Sequence, residues 1–186
     1  MKTIIARIRG YLFILKCRYM RKNVSIGIGF KMYCKLEIQG KGTVLIGKNC
    51  IVSGVSGDNR HYVTLDTFRP TANISIGDNA MLFAARISSK FSVTIGDSFL
   101  IEESGITDTD FHSITPDRRE PSESAEKCQI KIGNRVSVGS RSIICKGVKV
   151  GDDVVIYPGT IVNKDVPPGS VVCGNPVRLI KKDIAV

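Results

Sequence analysis

Hydrophobic positions in the last third of the chain recur every six residues. Ile132, Val138, Ile144, Val150, Ile156 and Val162 form an unbroken β-branched column, and glycine follows three of them, at Gly133, Gly139 and Gly151. A second column runs two residues ahead: Ile130, Val136, Ser142, Val148, Val154 and Thr160. A period of six is neither a 3.6-residue helix nor unbroken alternation. It calls for a short strand, a corner and another short strand. Three such pieces close a triangular coil of about eighteen residues with β-branched side chains pointing inward. Parallel ladders between stacked coils then satisfy the backbone around a narrow apolar interior.

The same signal appears earlier, at SIGIG (25–29), VLIGKNC (44–50), ISIGDNA (74–80) and VTIGDSF (93–99). From Ile46 to Ile76 the spacing leaves room for one irregular coil around SGVSGDNRHY. From Ile95 to Ile132 it fits one coil plus an excursion, because no Ile, Val or Leu occurs between Ile114 and Ile130. The stretch TPDRREPSESAEKCQ (115–129), with two prolines and mixed charges, reads as a protruding loop. Residues 4–19 have another rhythm. Ile4, Ile8, Tyr11, Leu12, Leu15 and Tyr19 fall at helical spacing, so an amphipathic helix is expected there. It either caps the open first coil or touches a membrane. The expected division is a basic helix over 1–22, a β-helix over 23–176 and a basic tail over 177–186.

Composition agrees with short strands and tight corners: Ile (24) and Val (18) far outnumber Leu (8), with 18 Gly and no Trp. The net charge of +10 is concentrated at one end, since residues 1–41 hold ten Lys or Arg and one acid, a net of +9. That points to an anionic neighbour or to a solvated basic face. Nucleic acid is disfavoured, because no aromatic stacking platforms interleave with the basic residues. Six scattered cysteines without C-x-x-C spacing suit reduced thiols in the cytoplasm. Two histidines, His61 and His112, cannot make a three-His zinc site, and no metal is expected. His61 lies in a glycine-rich irregular stretch and reads as an ordinary surface residue. The basic, apolar start imitates a signal peptide, but Arg7 and Arg9 interrupt its apolar stretch.

His112 lies in DTDFHSI (108–114), at a coil's end beside the excursion. An imidazole titrating near neutrality suits a general base. Asp110, two residues earlier, would project from the same side of an extended strand, where it could hold the imidazole tautomer or bind an acceptor. Asp108 is a second candidate for either role.

The hexads, the Asp-x-His before a loop and the ending GNPVRLI (174–180) together resemble the hexapeptide-repeat acyltransferases, of the sugar and polysaccharide O-acetyltransferase kind. The resemblance spans roughly residues 23–182. It implies an all-β fold, a left-handed parallel β-helix, assembled as a homotrimer with active sites between subunits. It implies acetyl transfer from acetyl-CoA to a saccharide hydroxyl, in surface polysaccharide biosynthesis, with His112 as general base assisted by Asp110. The Val-Gly-Ser corner, Gly139 and Ser140, would set backbone N–H groups beside the thioester. Pro158, Asn163 and Lys164 would line the pantetheine arm, and Arg178 and Lys181 would meet the phosphates. Ser137 stands where many such enzymes have Trp, and Pro158 offers a carbonyl but no N–H. N-acetylation of an amino sugar, or a non-catalytic β-helix scaffold, are the competing readings.

Overall fold

The computed structural model describes residues 2–55, 61–110 and 123–182. Short parallel strands wind into three sheets that form the sides of a triangular prism. Sheet A stacks Val24–Ile26, Thr43–Ile46, Asn73–Ile76, Ser92–Ile95, Ile130–Ile132 and Lys149–Val150. Sheet B stacks Lys31–Met32, Ile51–Ser53, Met81–Phe83, Leu100–Glu102, Ser137–Val138, Val155–Ile156 and Ser170–Cys173, and closes with the antiparallel Arg178–Lys182. Sheet C stacks Leu36–Gln39, Val63–Thr67, Arg86–Ser89, Gly105–Thr107, Ile143–Ile144 and Ile161–Val162. Each coil passes from A to B to C, so the prism has an AB, a BC and a CA edge.

Every member of both six-residue columns is buried, Ile132 and Val150 at 4% exposure being the most open. Each such Ile or Val contributes roughly 1.5–3 kcal/mol by leaving water. Ser142 and Thr160, the polar members of the second column, lie with Ser104 along the BC edge. There Ser142 N–H donates to Ser104 Oγ (2.9 Å) and Thr160 N–H to Ser142 Oγ (3.1 Å). The hydroxyls in turn donate to the carbonyls of Gly139 and Tyr157. The seam is therefore satisfied throughout, as buried hydroxyls must be. Ile95 pairs with Ile132, so 37 residues hold one coil plus an excursion, and Ile46 pairs with Ile76.

The AB edge is a ladder of Gly-Asx corners. The carboxylate or amide oxygen of Asp78, Asp97, Asn134 and Asp152 each accepts the backbone N–H of the corner before it, from Lys48, Asp78, Asp97 and Asn134, at 2.7–2.9 Å. The preceding glycines are required by close approach: a Cβ on Gly77 would lie 2.3 Å from Asp97 Oδ1 and 2.7 Å from Gly96 O.

Helix α1 (Lys2–Met20) lies across the first coil, packing Ala6, Gly10 and Cys17 against it. Phe13 and Phe30 rings sit 6.5 Å apart, and a Cβ on Gly10 would fall 2.2 Å from Phe30 O. The apolar stripe read from the sequence does not make this contact. Ile4, Ile8, Tyr11, Leu12 and Tyr19 are exposed on the outer side. Helix and coil meet at small residues because only those let the two backbones approach so closely. The excursion also differs from a plain loop: it returns through a single helical turn, α2 (Ala125–Cys128), with Ser124 as N-cap and Cys128 buried.

Candidate active site

At the CA edge, the chain leaves sheet C after Thr107 to begin the excursion. Asp108 is fully buried, and its carboxylate accepts Lys90 N–H (2.6 Å), Phe91 N–H (2.8 Å) and Ser89 hydroxyl (2.9 Å). Asp108 thus pins the neighbouring corner, with three of its four lone-pair sites serving that turn.

His112 lies within residues 111–122, outside the described residues. The two flanks of that stretch are tied together by Glu123. Its side chain, 2% exposed, accepts Lys90 Nζ (2.7 Å), Thr109 hydroxyl (3.0 Å) and Asp110 N–H (3.0 Å), with Lys146 Nζ at 3.4 Å. Burial pushes this carboxyl up, but the Lys90 ammonium and the Asp110 and Thr109 donors outweigh it and hold it at about 2. Asp110 completes the cluster through a short ion pair from Lys146 to Oδ2, and its Oδ1 has no partner among the described residues. That contact is also the main cause that raises Lys146. Asn163 and Lys164, exposed, follow the last sheet C strand at this same edge.

At the BC edge, Gly139 follows Val138 and packs onto Pro158, whose ring Cδ would be 2.7 Å from a Cβ at that position. Gly139 N–H donates to Ile156 O (2.9 Å) as part of the inter-coil ladder. It is therefore unavailable to a thioester, contrary to expectation. Ser140 N–H, one residue on, has no acceptor among the described residues, while Ser140 O accepts Gly159 N–H (2.9 Å). Arg178 pairs with Cys173 at the end of sheet B that faces this edge, and Lys181, opposite Val171, lies further along the strand.

A groove of about 510 Å³ crosses the outer face of sheet C between these two edges. Glu103 and Arg141 stand at its BC end, Arg86 and Gly105 along its floor, and Ser88 and Thr107 toward the CA end. Its floor is open because residue 105 has no side chain; a Cβ there would meet nothing within 4 Å.

The expected residues are thus divided. Gly139, Ser140, Pro158 and Arg178 share one edge; Asp110, Asn163 and Lys164 share another, so Pro158 and the Asn163–Lys164 pair do not line one groove within a chain. His61 is an exposed residue of the irregular connection from sheet B to sheet C, on the BC edge but three coils before Gly139. Sequence reasoning missed Glu123, Lys90 and Lys146, whose mutual contacts span 33 and 23 positions. The only available signal was an acid on the returning side of an otherwise aperiodic stretch.

No curated protein sequence matches the chain. A family model, bacterial transferase hexapeptide (six repeats), matches residues 129–164. Among solved structures, the polysialic acid O-acetyltransferase OatWY superposes with a TM-score of 0.72 at 21% identity, covering 88% of this chain and 75% of that one. A galactoside acetyltransferase in complex with coenzyme A gives 0.52 at 24% identity, covering 97% and 82%. AntD, an N-acyltransferase from Bacillus cereus in complex with dTDP and coenzyme A, gives 0.56 at 18% identity, covering 84% of each chain. In fold, the chain is a left-handed parallel β-helix, and its residues 129–164 match the bacterial transferase hexapeptide repeat.

Proposed function

We propose that the protein is an O-acetyltransferase that moves acetyl from acetyl-CoA to a saccharide hydroxyl, in the making of a surface polysaccharide. The observation that supports this reading is the groove over Gly105, which runs from Thr107 on the CA side to Arg141, the neighbour of Ser140, whose N–H has no acceptor among the described residues. The repeat match and the folds of the acetyltransferases above support the donor.

In this reading His112 takes the proton of the acceptor hydroxyl as the oxygen attacks the thioester carbonyl. The oxyanion forms within reach of Ser140 N–H. Collapse breaks the carbon–sulfur bond, and the imidazolium returns its proton to the departing thiolate. In this reading Asp110 holds the imidazole tautomer through Oδ1, while Lys146 neutralises Oδ2. Pro158 and Arg178 take the pantetheine arm and a phosphate from the BC edge. Asn163 and Lys164 act on the cofactor only from another copy of the chain, and Lys181 follows Arg178 on the same strand.

The two edges lie roughly 15 Å apart, the length of one extended side of the coil. A trimer that sets the CA edge of one prism against the BC edge of the next brings base and oxyanion donor together, and triangular prisms pack with such cyclic symmetry. The test is acetyl transfer to matched hydroxyl and amino sugars, read by thiol release, with coenzyme A binding by calorimetry. Transfer to the hydroxyl supports this reading; transfer only to the amine replaces it with N-acetylation. Failure to bind coenzyme A contradicts both.

A further inference from the structure

Helix α1 has two apolar faces. Turning about 100° per residue, Ala6, Gly10, Phe13 and Cys17 gather on the side buried against the first coil. Ile4, Ile8, Tyr11, Leu12 and Tyr19 gather on the opposite side, exposed by 63, 55, 61, 59 and 80%. Basic residues border this outer stripe, Arg9 and Lys16 on one flank and Arg7 and Arg18 on the other. The helix contains no acid at all. A cap needs only the inner face, so the outer stripe is unexplained by folding.

We propose that α1 lies flat on an anionic lipid surface, its outer stripe among the acyl chains and its flanking cations among the headgroups. The charge pattern decides among occupants. A second copy of this face would bring four flanking cations against four with no acid between them, whereas anionic headgroups complement both flanks at once. The arrangement is interfacial, because no helix among the described residues is long and apolar enough to cross a membrane. The inner face holds the first coil meanwhile, so docking and capping use different residues. The proposal does not depend on the catalytic reading.

The test is co-sedimentation of the full chain with mixed phosphatidylcholine–phosphatidylglycerol vesicles and with phosphatidylcholine alone. The chain is expected to bind the mixed vesicles and to lose binding as salt rises. Ile8→Glu with Leu12→Glu should weaken partitioning at least about tenfold while the thermal unfolding midpoint stays unchanged, because both side chains are already exposed. Arg7→Gln with Arg18→Gln should weaken it less and flatten the salt dependence. Absence of binding to mixed vesicles overturns the proposal. So does equal binding to neutral vesicles, or a wild-type oligomer that the glutamate pair dissociates without any vesicle binding.

Discussion

The AB and CA edges of the same prism are built on opposite plans. At the AB edge one corner repeats coil after coil: glycine, an Asx side chain, and a backbone N–H from the corner below. At the CA edge no two corners match. One is pinned by buried Asp108, the next expands into the excursion, and the excursion's root is clamped by Glu123 between Lys90 and Lys146. Repetition yields a stiff frame whose stability is spread over many equal rungs. The irregular edge concentrates charge and burial in one cluster of unlike groups, at the root of the sequence segment that carries the candidate base.

Four substitutions separate these plans, in order of expected effect on stability. Glu123→Gln removes the charge that compensates two lysines and should lower stability by about 3 kcal/mol at neutral pH. Its folded carboxyl sits at about 2 against an ordinary 4.5. Its stabilisation is therefore fully present above pH 4.5 and is lost as pH falls through 2. Urea denaturation of wild type and variant should accordingly converge toward pH 2; a gap that persists there would assign the loss to packing.

Gly77→Leu attacks the frame. Its side chain collides with Asp97 and with the Gly96 backbone, so a loss of about 2–3 kcal/mol is expected. The activity of the molecules that remain folded should be unchanged. Removing one rung, Asp97→Ala, should cost only about 1 kcal/mol, because the orphaned Asp78 N–H lies at the exposed edge and can turn to water. Gly105→Phe should be nearly silent in stability, within about 0.5 kcal/mol, since a side chain there enters open space without a strained backbone. It should nevertheless lower kcat/KM for acetyl transfer by at least about tenfold, by filling the groove. Unaltered kinetics would remove that groove from the site.

The frame was readable in the sequence because inward contacts recur at one coil's spacing, so Ile132 through Val162 announce themselves as a column. The clamp was not. Glu123, Lys90 and Lys146 belong to different coils and to a stretch without period, and nothing local marks an acid that will be buried. Helix α1 shows a subtler failure. Hydropathy sees large apolar residues, so it found the outer stripe; the packing face consists of Ala6, Gly10 and Cys17, small residues chosen for close approach. Gly139 and Ser140 were located correctly as a corner, but which N–H the ladder consumes depends on inter-coil register, which spacing alone does not reveal.

The most direct test of the catalytic account replaces His112 with alanine. Acetyl transfer and coenzyme A affinity would be measured on the same preparation. The account predicts a fall in kcat of about a hundredfold to ten-thousandfold with coenzyme A affinity retained, because the cofactor is held from the BC edge. Turnover equal to that of the wild type would contradict it.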